Sequence, residues 1–169
     1  MTHNELTNGV LARLNEIGYN AGLTLITDDT LNLTEYVEVA IKDAVLRLEG
    51  VNLKECSVNY DGTIDLPEDF VSVVKVKCDS WKRAVAVVTE VDTPAYVLAM
   101  NQYTAPTKNN PVVVMSGVRK LQAMPSDKGT MLYNAAYDGE SGIKGDKESA
   151  QVMELAAEII YKIFGDGSR

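Results

Sequence analysis

Five oxygen-bearing side chains stand within nine residues: Asp61, Thr63, Asp65, Glu68 and Asp69. Oxygen donors at alternate positions are what a calcium loop needs. That loop also requires a glycine at its sixth position and a bidentate Glu at its twelfth. Leu66 and Ser72 occupy those places, so the cluster reads as an acidic turn beside Pro67. Glu68 and Asp69 could pair for acid–base hydrolysis, but no sugar-binding cleft is signalled nearby. The single histidine, His3, lies near the terminus and is read as a solvated side chain. Without a second histidine, Ser/His and Cys/His nucleophiles and His-based zinc sites lose their base or ligand. Cys56 and Cys78 fit no metal spacing and are expected to be free thiols. Gly139, Gly142 and Gly145 flank Lys144, but Gly145-Asp146 follows it, not the Lys-Ser/Thr pair of a phosphate loop. Trp81 precedes Lys82 and Arg83 and could stack on a base. With no basic surround, it is expected to be a half-buried residue at a strand edge. The expectation is therefore no catalytic residue, no metal, no cofactor and no enzyme.

The bulk numbers agree with that reading. A chain of 169 residues with 46% apolar and 24% charged content suits one soluble domain with its own core. The formal charge of −8 disfavours a surface that grips nucleic acid. No basic start with an apolar run reads as a signal peptide, and no stretch reaches membrane-spanning length. A cytoplasmic site of synthesis or assembly is expected.

Three long helices are expected. The first covers residues 5–17, with Thr2 and Glu5 as a capping box, Leu6, Val10, Leu14 and Ile17 as its apolar face, and Gly18 and Gly22 ending it. The second is capped by Asn32 with Glu35. It carries Leu33, Val37, Ala40, Ile41, Ala44 and Leu48 on one face and stops at Gly50. The third runs from about Asp146 to Phe164, with Gly165 ending it.

Between the second and third helices the pattern turns to strands. Residues 51–63 read as irregular chain or a short strand. Val71–Cys78 alternates with Lys75 and Lys77 outward, and 84–89 is apolar on both faces, as a central strand is. Asp92-Thr93-Pro94 opens a short helix to about Asn101. Residues 111–115, 118–124 and 131–137 form an antiparallel, Tyr-rich meander with a tight turn at Ser116-Gly117. The glycines between 139 and 145 read as a flexible connection. The expected class is α+β: an N-terminal helical hairpin (1–50) and a flexibly joined C-terminal helix (139–169) beside a small antiparallel sheet or sandwich (51–138), in one domain.

The third helix has a wide apolar face: Val152, Leu155, Ala156, Ile159, Ile160, Ile163 and Phe164. It either completes a three-helix bundle or presents a second face to a partner. Val152, Leu155, Ile159, Ile160, Ile163 and Phe164 are the expected partner interface.

The order of parts resembles the head-to-tail connector (adaptor, or ring) proteins of tailed bacteriophages, of the tail-tubular and tail-accessory type. The matching positions are Leu66-Pro67-Glu68-Asp69-Phe70, Trp81, Tyr96, Leu121 with Ala123 and Pro125, and Tyr133 with Tyr137, within residues 32–164. Asp92-Thr93-Pro94 replaces the family's Gly-x-Pro, and Ser126-Asp127 stands where a second Pro is usual. The resemblance implies a virion protein without chemistry of its own. It would form a homo-oligomeric ring of twelve copies below the portal protein, meet the next tail or neck protein, and let DNA pass without specific binding. Its last helix would reach the portal. Glu35, Glu38 and Glu49 would line the passage, where weak repulsion keeps the duplex from sticking. A tail-completion or terminator subunit and a non-viral β-sandwich binding module are the alternatives.

Overall fold

The computed structural model describes the backbone of residues 1–16, 30–90, 93–101 and 103–167. The fold is α+β. The chain forms two compact units, Met1–Asn52 with Ala136–Arg169, and Leu53–Ala135.

The first unit is helical. It contains α1 (His3–Glu16), α2 (Thr30–Arg47) and α4 (Asp146–Gly167). The backbone amide of Glu5 donates to Thr2 Oγ1 at 3.2 Å, which satisfies one free donor at the start of α1. Leu6, Val10 and Leu14 are fully buried, as their spacing predicts, while Ile17, Gly18 and Gly22 lie outside the described residues. Helix α2 starts at Thr30, so Asn32 falls within its first turn and is not its cap. Val37, Ala40, Ile41, Ala44 and Val45 face the core. Helix α4 packs on both α1 and α2 and buries Val152, Met153, Ala156, Ala157 and Ile160 between them. It continues past Gly165 to Gly167. Gly9 has a packing reason: a Cβ there would collide with Met153 Sδ of α4.

The segment before α4 is not a loose connection. Asp138 Oδ1 accepts from the amides of Glu140 and Ser141, at 2.8 and 2.9 Å. Gly139 and Gly142 take positive φ, the conformation that glycine adopts without a Cβ penalty. Ile143 is buried in the helical core, and the buried Ser149 hydroxyl donates to its carbonyl at 3.2 Å.

The second unit holds β1 (Leu53–Val58), β2 (Thr63–Asp65), β3 (Phe70–Cys78), β4 (Val88–Thr89), α3 (Pro94–Met100), β5 (Val112–Gly117), β6 (Lys120–Met124) and β7 (Gly129–Ala135). One sheet has the order β1-β7-β3, the other β2-β6-β5-β4. All neighbours are antiparallel except β4 and β5. Val76, Cys78, Met131, Tyr133 and Ala135 of the first sheet share one apolar core with Ile64, Val113, Leu121 and Ala123 of the second.

Three strand expectations need correction. The meander stops after β6, because β7 crosses to the other sheet and inserts between β1 and β3. Residues 84–89 are not a central strand. Val85 makes one isolated bridge to Val76, and the two-residue β4 is a sheet edge with Val87 exposed beside it. The β5–β6 turn is at Val118-Arg119, not Ser116-Gly117, because a bulge between Met115 and Gly117 keeps Gly117 in register with Lys120.

Candidate functional site

The chemistry-bearing residues of the acidic turn disperse. Asp61 Oδ1 accepts from the amide and hydroxyl of Thr63, at 3.1 and 2.7 Å, which holds its carboxyl below the usual range. Asp65 lies 3.7 Å from Lys120 Nζ, and Glu68 is exposed. Asp69 turns to the first sheet. Its Oδ2 is 2.8 Å from Lys54 Nζ and its Oδ1 accepts from the Tyr133 hydroxyl at 3.0 Å. The Lys54 hydrogen bond, with that of Tyr133, lowers the Asp69 pKa. Burial first, then Asp69, pushes the Tyr133 hydroxyl up to about 12. Phe70 packs beside Tyr133 with ring centroids 5.9 Å apart. Asp69 thus ties β1, the start of β3 and β7 together. Among the described residues, no three metal-ligating side chains gather.

His3 is not solvated. Its ring stacks on Tyr137 at 5.8 Å, with Nδ1 2.9 Å from the Tyr137 hydroxyl and Nε2 3.3 Å from Glu38 Oε1. The Tyr137 hydroxyl also accepts from the Gly142 amide at 3.1 Å. The histidine joins α1, α2 and the 137–142 segment, with no nucleophile beside it in those contacts. Trp81 is likewise deeper than expected: buried, with Nε1 donating to the Pro125 carbonyl at 2.9 Å. It cannot offer a face to a base. Both thiols are free, and burial pushes Cys78 up to about 11.

The expected partner residues on α4 divide. Val152 and Ile160 are in the core of the helical unit and cannot present themselves to a partner in this fold. Leu155 and Ile159 are half-buried against the same core. The side chains of Ile163 and Phe164 lie outside the described residues. The three helices need this apolar surface to cover one another, which explains its width.

Exposed apolar surface sits elsewhere. On α2, Tyr36, Val39 and Leu46 face solvent, Val39 at 64% exposure. In the β unit, Val97, Leu98 and Met100 of α3 are exposed, and Val118 at the β5–β6 turn is 95% exposed. An open groove of about 640 Å³ runs between α3 and the β5–β6 hairpin, lined by the apolar Tyr96, Met100, Val114, Met115 and Val118 together with Ser116, Gly117 and Gln122. Sequence reasoning missed both surfaces. The signal for α2 was a second apolar set behind the buried stripe. The signal for the hairpin was a valine where a turn residue is usual.

Charge is unevenly shared. The helical unit carries 7 Lys and Arg against 15 Asp and Glu, and the β unit 9 against 9, so the whole excess of −8 belongs to the helical unit. Glu35 and Glu38 are exposed on α2, and Glu49 is exposed just past its end. No described helix is long and apolar enough to cross a membrane. No protein-family description matches the chain, and no curated protein matches it significantly.

Proposed function

We propose that this chain is a structural virion protein: a ring-forming head-to-tail connector of a tailed bacteriophage. It docks below the portal protein, joins it to the next tail protein and lets DNA pass. The observation that carries this reading is where the resembling residues lie. Most of them meet in the core of the β unit, while Tyr137 lies in the helical core, Tyr96 lines the groove and Glu68 is exposed. Asp69 and Phe70 close on Tyr133, Trp81 donates to Pro125, and Leu121 and Ala123 fill the same core. Tyr137 anchors the helical unit. Most of the residues that carry the resemblance are thus core residues of the two units.

Two further features support an assembly role. Several exposed apolar side chains fall on helix and hairpin surfaces, where neighbours can cover them. The negative excess is confined to the helical unit, with Glu35 and Glu49 exposed, and Glu38 exposed beside His3, where they would repel a passing duplex. In this reading the last helix supports the portal-facing unit from within.

The test is binding to a purified portal ring, followed by electron microscopy. A connector gives a closed ring of this chain coaxial with the portal. A terminator subunit binds at the tail tube instead. A chain that stays monomeric and ignores both is a binding module of another kind.

A further inference from the structure

We infer that the β unit touches the phosphates of duplex DNA through one basic corner: Lys75 and Lys77 of β3, Lys82 and Arg83 after it, and Lys108 in the loop before β5. This rests on the reading above, which brings a duplex past the chain, and names the surface that meets it. The formal charge of −8 hides the corner, because it sums over two units and the β unit alone balances 9 Lys and Arg against 9 Asp and Glu.

The fold gathers these cations from three segments. The Lys82 amide donates to the Lys108 carbonyl at 2.8 Å. Arg83 Nε donates to the Asn109 carbonyl at 3.1 Å. Lys77 Nζ donates to the Trp81 carbonyl at 3.2 Å. Val76 and Val85 exchange two backbone hydrogen bonds of 2.8 Å, which sets Lys75 and Lys77 beside the chain that leaves Arg83. All five residues are exposed, and none forms an ion pair among the described residues. The carbonyls that hold Lys77 and Arg83 orient them without neutralising them. The acids that flank the corner already have partners. Asp79 lies 4.0 Å from Lys128 Nζ, and Asp127 accepts from the amides of Ser80 and Lys128.

The surroundings of the corner select the partner. A contact between proteins is built on a centre depleted of charge. Here the exposed Thr107, Asn109 and Asn110 stand among the cations instead. Hydroxyl and amide groups beside Lys and Arg are what phosphate oxygens take, and interfaces with nucleic acid are polar and strongly positive. Trp81, next to Lys82, is buried and offers no ring to a base. Contacts to phosphate carry no sequence information, so any duplex fits. Five cations on a chain whose other unit is acidic make a loose, salt-sensitive hold that is compatible with passage.

The experiment is fluorescence anisotropy of a labelled DNA duplex of about 30 base pairs with the full chain, between about 25 and 200 mM salt. K75Q/K82Q/K108Q removes three charges from the corner. K144Q/K147Q/K162Q removes three from the helical unit and is the control. All six positions are exposed, so circular dichroism and Trp81 fluorescence should match the parent. A corner variant that fails that check is replaced by K108Q alone, which should take about 1 from the salt slope. The parent should bind, with log K falling against log salt at a slope of about −3 to −4.5. The corner variant should bind at least about tenfold more weakly at about 50 mM salt and lose about 2–3 from the slope, while the control changes less than about threefold. A parent that does not bind at about 25 mM salt overturns the inference. Equal losses in the two variants also overturn it. So does poly-glutamate that displaces the duplex at equal charge, which would make the corner a dock for an acidic protein. No portal is present in this assay, so the connector reading stands or falls separately, on portal binding.

Discussion

Replacing Asp69 by Ala tests the knot that holds the first sheet together. Two partners lose their acceptor. Lys54 is 41% exposed and can return its charge to water, so its ion pair contributes at most about 1 kcal/mol. Tyr133 cannot, because its side chain is buried between the sheets. Its hydroxyl would be left facing an apolar site, at a cost of about 1–3 kcal/mol. The expected loss is about 2–3 kcal/mol. Asp69→Asn keeps an acceptor for Tyr133 and should lose only about 1 kcal/mol. The sign with pH follows from the lowered Asp69 pKa. A carboxyl whose folded pKa lies below its unfolded value adds stability above the unfolded value and loses it as pH falls through the folded one. The gap between parent and Asp69→Asn should therefore be full at neutral pH and shrink below about pH 4. Urea unfolding read by Trp81 is the assay, since it is the sole tryptophan and lies in that core. An Asp69→Ala protein within about 0.5 kcal/mol of the parent would refute the reasoning.

Gly129→Ala should destabilise the β unit by about 1–3 kcal/mol in the same assay, because the added Cβ meets β3 backbone at 2.5 Å from Cys78 Cα. Ile160→Ala should cost the helical unit about 2–5 kcal/mol, seen as a lower melting point of the helical circular dichroism signal. That loss would mark α4 as a core helix, where a free docking helix would show little change. Cys78, buried and raised to about 11, should react with a thiol reagent at pH 8 only as fast as the β unit opens, whereas half-buried Cys56 reacts sooner; site-resolved mass spectrometry separates the two.

The helices were legible because their information is local. Leu6, Val10 and Leu14, and Val37, Ala40, Ile41 and Ala44, recur at the helical period and are all buried. The outward Lys75 and Lys77 marked β3, and Thr93-Pro94 marked α3, where the Thr93 side chain accepts from the Tyr96 amide. Strand partners were not legible, because pairing is made at a distance. Nothing in residues 129–135 announces that β7 leaves β6 to sit between β1 and β3. The run 84–89 misled because apolar content on both sides also suits a short edge whose valines remain exposed. His3 misled for a similar reason. Its place near the chain start suggested solvent, while Tyr137, 134 residues later, covers it. The apolar set of α4 follows the same rule: it was visible, but which neighbours it covers depends on the packing of three helices.

The most direct measurement is a cryo-electron microscopy reconstruction of the purified chain with a portal ring. The account predicts one closed ring of copies on the portal axis, with Glu35, Glu38 and Glu49 turned toward the opening. Portal particles with no added density, beside monomers of this chain, would contradict it.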